Sequence, residues 1–158
     1  MRGTYCIVAW LKRSEKIRVG ALGEFTFPAG TYVYVGSAAR GIEQRVKRHK
    51  SSQKRLRWHI DYFLARADVV STIAIPSDDR HMECAVVAAL TKCQKEAVVP
   101  RKFGSSDCRC PSHLLYFGDT DPEDAMETLV FHLTTMPGVY ASSESRDDLG
   151  SSHRRQLS

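Results

Sequence analysis

Five side chains spread over the first 83 residues have the types needed to hydrolyse a phosphodiester bond. They are Tyr5, Tyr34, Arg45, His49 and Glu83. A phenol can position and deprotonate an attacking water, and a guanidinium can hold a phosphate. An imidazole can bond a phosphate or move a proton, and one carboxylate can bind a magnesium ion that keeps much of its hydration. We interpret the set as a candidate active site in which either Tyr5 or Tyr34 activates water.

The two tyrosines lie in segments that are predicted to be strands. Residues 5–11 are rich in β-formers and apolar on both faces, as expected for a covered central strand. Residues 31–35 alternate in character, which places Tyr34 on one face of a second strand. Gly3 and Gly36 flank the tyrosines, where the backbone must pass close to other groups. Shorter strands are predicted at 16–19, 69–75 and 114–117.

Helical patterns position the other three side chains. Residues 41–50 and 80–93 are predicted helices. Arg45 and His49 are four residues apart in the first helix, so they share a face and can point at one site. Glu83 lies near the start of the second helix. Further helices are predicted at 58–64 and 121–133.

A basic segment between residues 40 and 57 favours a polyanionic partner. It holds eight Lys and Arg against one acid, an excess of seven, whereas the whole chain has a net charge of +5. Each phosphate that such side chains neutralise releases counterions and strengthens binding. A solvated basic helix is the alternative interpretation. Besides Arg45, the predicted phosphate- and DNA-binding residues are Arg40, Lys47, Arg48, Lys50, Lys54 and Arg55.

Chain length and composition indicate one domain in a reducing compartment. A chain of 158 residues can bury a single core, and we expect one domain over 1–140. Residues 141–158 lack an apolar pattern and include six serines, so we expect a disordered tail. No apolar run is long enough to span a membrane, and we find no signal-peptide pattern. Five scattered cysteines, an odd number, favour a cytoplasmic, reducing location over a disulfide framework.

The order of these motifs resembles that of the GIY-YIG nuclease superfamily. The resemblance extends to a subfamily of uncharacterised domains, some of which are fused to endonuclease III-type repair enzymes. It covers roughly residues 3–117. No single motif is specific, but the ordered set is. The segments that carry it are FPAGTYVYVGSA at 27–38, RVKRH at 45–49, WHIDY at 58–62, EC at 83–84, and FGSSDCRC at 103–110 with HL at 113–114.

The resemblance implies an α+β fold with a small, mainly three-stranded antiparallel sheet flanked by helices. It implies hydrolysis of DNA with one divalent ion, Mg²⁺ or Mn²⁺, bound by Glu83. Arg45 would hold the phosphate, and His49 would bond the phosphate or assist proton transfer. We expect cleavage directed by DNA structure or damage, with a repair protein as a further partner. The supporting residues are Gly3, Gly36, Ser37 and His59.

Ser37 departs from the pattern of several relatives. Those proteins have a lysine directly after the second glycine, where it assists the phenol. Ser37 can orient a water but supplies no charge, so Arg45 or the metal ion would have to supply it. This departure keeps open a second hypothesis, a nucleic-acid-binding module that has kept the fold and lost catalysis.

Three potential zinc ligands lie close together in the loop at 103–113, namely Cys108, Cys110 and His113. Zinc takes four ligands, and the spacing matches no standard zinc motif, so we favour buried thiols packed beside the site over a zinc ion. A nucleophilic Cys108 activated by His113 is a further alternative. A zinc- or thiol-dependent protein is therefore the third functional class. The fourth ligand would have to come from Cys84, Cys93, His81 or Asp107.

Overall fold

A six-stranded sheet centred on β1 (Gly3–Leu11) organises the fold. The computed structural model of the chain describes residues 1–94, 99–137, 139, 141–145 and 155–157. β1 pairs antiparallel on one side with β4 (Gly30–Ala38) and on the other with β5 (Asp68–Pro76). Apolar residues on both faces of β1 suit this position, because helices cover the sheet on both sides.

The remaining elements extend the sheet or cover it. β6 (Leu114–Tyr116) pairs with β4, and β7 (Ala141–Ser145) and β8 (Arg155–Leu157) continue the sheet beyond β5, giving the order β6-β4-β1-β5-β7-β8. β2 (Glu15–Arg18) and β3 (Glu24–Phe27) form a separate antiparallel pair. The helices are α1 (Ile42–Lys50), α2 (His59–Leu64), α3 (Met82–Thr91) and α4 (Pro122–Thr134).

Each face of the sheet has its own apolar core. On one face, Ile7 and Leu11 pack with Ile42 and Val46 of α1 and with Phe63 of α2. On the other face, the alternate residues of β1 and β4 pack against α3 and α4. Burying one such side chain contributes about 1.5–3 kcal/mol, so each helix is held chiefly by its apolar stripe. The buried residues of the second core include Val8, Val33, Val86, Leu90 and Leu129.

The structure confirms the predicted α+β class. All five predicted strands and all four predicted helices are present, with bounds that differ by a few residues at most. The sheet is wider than the three strands expected, and β3 was not predicted. Among the helices of the described residues, none combines the length and apolar character needed to cross a membrane.

The C-terminal segment differs from the predicted disordered tail. β7 pairs with β5 from Ser71↔Ser145 to Ala74↔Ser142, and β8 pairs with β7. The free edge of β5 presents unpaired backbone donors and acceptors, which a serine-rich segment can satisfy without any apolar side chain. Residues 146–154 and 158 of this segment lie outside the described residues, and the predicted domain boundary at residue 140 stays a prediction.

Candidate active site

A cleft of about 380 Å³ lies where the ends of β1 and β4 meet α1, α3 and the loop at 103–113. Six residues predicted from the sequence line it: Tyr5, Tyr34, Ser37, Arg45, His59 and Glu83. They come from five separate segments, which the pairing of β1 with β4 and the packing of the helices bring together. The lining also includes Asp107, predicted only as a possible zinc ligand, and residues to which no site role was assigned, namely Arg57, Trp58, Gly104 and Ser106.

Tyr5 lies at the inner wall of the cleft and is held by His49. The Tyr5 hydroxyl is 2.7 Å from Nε2 of His49, and both side chains are buried. His49 is absent from the residues that line the cleft, because it lies behind Tyr5 on the buried side of α1. Two roles were predicted for His49. Its position is compatible with proton transfer through Tyr5 and not with a direct phosphate contact.

Two glycines make room for this arrangement. Gly36 is the cross-strand partner of Tyr5. A Cβ at Gly36 would collide with the Tyr5 hydroxyl and Cζ, so only glycine lets the phenol cross β4 at this point. Gly3 has a φ of +151°, and a Cβ there would collide with the carbonyl oxygen of Ile75. At both positions the backbone therefore passes too close to other groups for a side chain.

Burial sets the protonation states of Tyr5, Tyr34 and His49. Burial raises the pKa of Tyr5 well above its usual value, and the neighbouring Tyr34 also raises it, whereas the Arg45 guanidinium lowers it. Burial also raises the pKa of Tyr34. For His49, burial and the nearby Lys54 ammonium lower the pKa to about 4. At neutral pH both phenols are therefore protonated and the imidazole is uncharged.

Arg45 is held over the face of Trp58. The Arg45 guanidinium carbon lies 4.4 Å from the Trp58 ring centroid, and that of Arg48 lies 4.0 Å from it. A cation over an indole ring is attracted by the negative ring face, which fixes the flexible arginine at the cleft. Arg48 is in turn bonded to Asp61 through two nitrogens, at 2.8 and 2.9 Å. Trp58, Arg48 and Asp61 thus form a wall that positions Arg45.

The structure divides the predicted DNA-binding residues into two groups. Arg48 is engaged with Asp61, and the Lys54 ammonium donates to the carbonyl oxygens of Arg48 and His49 at the end of α1. Both therefore contribute to the fold. The other four side chains are exposed, and none of them lines the cleft, where Arg57 is a further cation: Arg40, Lys47, Lys50 and Arg55.

Glu83 reaches the cleft from the opposite layer of the fold. α3 packs on the face of the sheet away from Tyr34, yet Glu83 in its first turn lines the same cleft. β6 pairs with β4 only at Tyr32 to Tyr34, so β6 leaves the end of β4 uncovered. Glu83 passes this uncovered edge and is half-buried, with 20% of its side chain exposed. Oε1 of Glu83 lies 2.7 Å from Nδ1 of His113, an ion-pair contact.

The loop at 103–113 is fastened to the site by histidines. Nδ1 of His59 accepts a hydrogen bond of 2.9 Å from the backbone N–H of Gly104, which joins the loop to α2. Buried His113 donates its backbone N–H to Phe103 and accepts, through its carbonyl oxygen, from Val35 of β4. The predicted supporting role of His59 is thus to hold the loop that carries Ser106 and Asp107.

Three cysteines and one histidine gather beside this loop. Their ligand atoms, three sulfurs and one imidazole nitrogen, all lie within 4.8 Å of one another. The four residues are Cys84, Cys108, Cys110 and His113. The structure therefore supplies, from α3, the fourth member that the sequence left open among four candidates. We call this group the Cys3His cluster, and its donor set is that of a metal site.

Mutual contacts perturb the titration of the Cys3His cluster. Burial lowers the pKa of His113, but the adjacent Glu83 carboxylate outweighs it, and the net pKa is raised. Burial raises the pKa of Cys110 to about 12. Burial raises the pKa of Cys108, but bonds from the Cys110 backbone and thiol outweigh it, and the net pKa is lowered.

Two wall residues had no signal that sequence reasoning could use. Trp58 could equally be a packing residue, because its two arginine neighbours on α1 are ten or more positions away in the chain. Asp107 lies in a loop rich in Gly, Ser and Cys, where an acid is unremarkable. Its proximity to the tyrosines is a tertiary feature, created when His59 and His113 fix the loop.

Comparison with known proteins identifies a family but no characterised relative. No curated protein and no solved structure matches the chain. A family model does match, from residue 4 to residue 135, and this span includes the cleft and the Cys3His cluster. The chain therefore belongs to the family described as the domain of unknown function DUF123.

Proposed function

We propose that this protein is a metal-dependent endonuclease that hydrolyses phosphodiester bonds in DNA. The observation that supports the proposal is the convergence of Tyr5, Tyr34, Arg45 and Glu83 on one cleft. Each of the four has a side chain with a role in phosphodiester hydrolysis: a phenol for water, a guanidinium for phosphate and a carboxylate for a metal ion. The resemblance to GIY-YIG nucleases gives the same assignment.

Tyr5 would orient and deprotonate the attacking water. Because His49 is neutral at pH 7, its Nε2 can accept the Tyr5 hydroxyl proton across the 2.7 Å contact. The phenol oxygen then turns its lone pairs towards the cleft and can accept a proton from water. In the complete step, water gives its proton to the Tyr5 oxygen, the Tyr5 proton moves to His49, and the resulting hydroxide forms a bond to phosphorus. The bond from phosphorus to the leaving ester oxygen breaks, and that oxygen takes a proton from solvent. Tyr34 would bond the same water from the neighbouring strand.

Arg45 would hold the scissile phosphate. Trp58 keeps its guanidinium at the cleft, which Arg57 also lines. A donor aimed at charge that grows in the transition state contributes about 3 kcal/mol or more to lowering the barrier. Removing it is expected to slow cleavage by a factor on the order of 100 or more.

The donor set of the cleft fits the divalent ion that the resemblance implies. Glu83 and Asp107 offer carboxylate oxygens, and Ser37 and Ser106 offer hydroxyls, as Mg²⁺ and Mn²⁺ prefer. Glu83 would hold the ion, with Asp107 as a second acid within the cleft. Once bound, the ion would supply positive charge to the phosphate oxygens and lower the pKa of the attacking water.

The exposed basic side chains between residues 40 and 55 favour DNA as the substrate. Arg40, Lys47, Lys50 and Arg55 would follow the phosphate backbone, a contact that carries no sequence information. We therefore propose action on a DNA structure or lesion, with a repair protein as a partner. The five free cysteines favour a reducing compartment, and we propose the cytoplasm.

The raised pKa of both phenols supports a rival, a binding module without catalysis. A protonated, buried tyrosine is a weak base, and Ser37 adds no charge to strengthen it. The rival, however, gives no role to the Glu83 carboxylate at the mouth of the cleft. The two hypotheses predict different results in one assay.

The assay measures cleavage of branched, nicked and damaged duplexes in Mg²⁺ or Mn²⁺, with EDTA as the metal-free reference. We expect cleavage that requires the ion and falls at least about 100-fold in Arg45→Met and Glu83→Gln. Arg18→Ala is the matched control, since Arg18 is exposed on β2 outside the cleft. Salt-sensitive binding without cleavage in either ion would favour the binding module.

A further inference from the structure

We propose that the Cys3His cluster is a structural zinc site, and that its histidine ligand holds the Glu83 carboxylate at the cleft. The site would bind Zn²⁺ through the sulfurs of Cys84, Cys108 and Cys110 and through Nε2 of His113. The first part of the proposal concerns this cluster alone. Only the second part, the purpose of holding Glu83, rests on the proposed function.

The geometry of the cluster matches tetrahedral zinc. Zinc binds sulfur at about 2.3 Å and imidazole nitrogen at about 2.0–2.1 Å, so two thiolates on one ion lie about 3.8 Å apart, and a thiolate and an imidazole nitrogen about 3.6 Å apart. In the structure, all four atoms lie within 4.8 Å, and Sγ of Cys108 is 3.3 Å from Nε2 of His113. Small side-chain shifts would centre an ion among them. Four protein ligands leave no open position, which is the pattern of a structural site.

The position of the cluster gives such an ion a structural task. Cys84 belongs to α3, Cys108 and Cys110 to the loop, and His113 immediately precedes β6. Zinc would therefore join α3 to the loop at 103–113, two segments that are about 25 residues apart in sequence. The loop offers little apolar surface for this, since of its side chains Phe103 belongs to one buried core and Cys110 packs against the other. A metal ion would replace the apolar packing that the loop lacks.

The orientation of His113 carries the second part of the proposal. Its Nε2 points at the sulfur of Cys108, while its Nδ1 lies 2.7 Å from Oε1 of Glu83. Histidines that bind metals usually direct their other ring nitrogen at a carboxylate, which fixes the tautomer and the ring. Nδ1 of His113 is buried and has no hydrogen-bond partner among the described residues, and the Glu83 carboxylate is the ion-pair contact that it makes. Zinc at Nε2 would keep the proton on Nδ1, and thereby hold Glu83 at the cleft with Oε2 available.

The test is the zinc content of the full chain, purified without a histidine tag and measured by mass spectrometry of the metal. We expect about one zinc ion per chain in the wild type, and background zinc in Cys110→Ser. Cys93→Ser is the matched control, because Cys93 follows the same helix but lies outside the cluster. It should retain the zinc of the wild type. Cobalt substitution should give thiolate-to-metal absorption in the wild type and in Cys93→Ser, and none in Cys110→Ser.

Glu83→Gln tests the link to the cleft without removing a ligand. It should retain about one zinc ion but release it to a chelator more readily, because loss of such an outer partner lowers metal affinity about 10–100-fold. An unchanged release rate would overturn the second part. Either of two results would overturn the first part of the proposal. One is a zinc content of the wild type no higher than that of Cys110→Ser, and the other is a disulfide within the cluster in freshly purified protein.

The zinc result and the nuclease result can fail separately. A protein that contains zinc but cleaves no DNA would retain the zinc site and lose the proposed function. A protein that cleaves DNA in Mg²⁺ and contains no zinc would retain the function and lose the zinc site.

Discussion

Replacing Asp61 with Asn tests whether the buried ion pair with Arg48 supports the wall of the cleft. The Asp61 side chain has no exposed surface. Its oxygens accept two hydrogen bonds from Arg48, at 2.8 and 2.9 Å, and one each from the backbone N–H groups of Arg57 and Trp58, both at 2.8 Å. All four partners are donors. An asparagine would direct its own N–H₂ group at some of these donors and would leave the Arg48 charge unpaired.

The expected loss follows from the burial of this pair. Removing one partner of a buried ion pair costs up to about 3–5 kcal/mol, and here Asp61 is fully buried while Arg48, 27% exposed, loses its counter-charge. Burial raises the pKa of Asp61, but the bonds from Arg48 and from the Trp58 and Arg57 backbone outweigh it and lower the net pKa. The pair is therefore intact at neutral pH, and its stabilisation is lost only as pH falls through the lowered pKa. At about 2–4 °C per kcal/mol for a domain of this size, Tm should fall by roughly 6–20 °C.

The assay is urea unfolding at neutral pH, followed by circular dichroism. Asp68→Asn is the matched control, because Asp68 is an exposed aspartate on β5, and it should change the free energy of unfolding by no more than about 0.5 kcal/mol. Arg48→Met and the double variant complete a mutant cycle, in which the two losses should be strongly non-additive. A loss below about 1 kcal/mol for Asp61→Asn, or simple additivity in the cycle, would refute the reasoning.

Three further predictions concern His49, Gly36 and Trp58. Burial lowers the pKa of His49 from 6.5 to about 4, so as pH falls below 6.5 the unfolded chain takes up a proton on His49 that the folded chain does not. Between pH 7.5 and about 5, the free energy of unfolding of the wild type should therefore fall by about 2 kcal/mol more than that of His49→Gln. His132→Gln is the control. Gly36→Ala should cost about 1–3 kcal/mol and displace the Tyr5 hydroxyl, whereas Gly41→Ala, whose Cβ would meet nothing nearer than 3.8 Å, should be nearly neutral in the same unfolding assay. Trp58→Ala should lower kcat/KM for DNA cleavage about 10-fold by releasing Arg45, and Trp58→Phe should lower it less, because a phenyl ring still presents an aromatic face. Equal activity of the two Trp58 variants would contradict this role.

Local physical rules were enough to predict most elements of the fold. Apolar periodicity identified α1 with its buried Ile42 and Val46, and the Asp121–Pro122 pair predicted the start of α4, where the Asp121 side chain accepts from the N–H of Glu123 at 2.8 Å. β3 was missed because its four residues have only one buried side chain, Phe27, and so give a weak pattern. Local patterns predict an element when its own side chains define its buried face.

Six of the residues that line the cleft were named from the sequence, but their geometry was predicted only in part. Helical spacing placed Arg45 and His49 on one face, but it could not show that His49 lies behind Tyr5. That arrangement depends on the register of β1 with β4, which opposes Tyr5 to Gly36. In the same way, the recruitment of Cys84 to the cluster depends on the packing of α3, which no spacing in the sequence records.

The short length of β6 decides whether the two layers of the fold can share one cleft. β6 pairs with β4 only from Tyr32 to Tyr34, and beyond it the N–H of Val35 is bonded by the carbonyl oxygen of His113, which belongs to the loop. A strand continued along β4 would separate the phenols on one face from Glu83 on the other. The loop instead turns away here and places His113 against the carboxylate. The same residue thus ends the pairing with β4, joins the Cys3His cluster and contacts Glu83, so the geometry of the cleft depends on how firmly this loop is held.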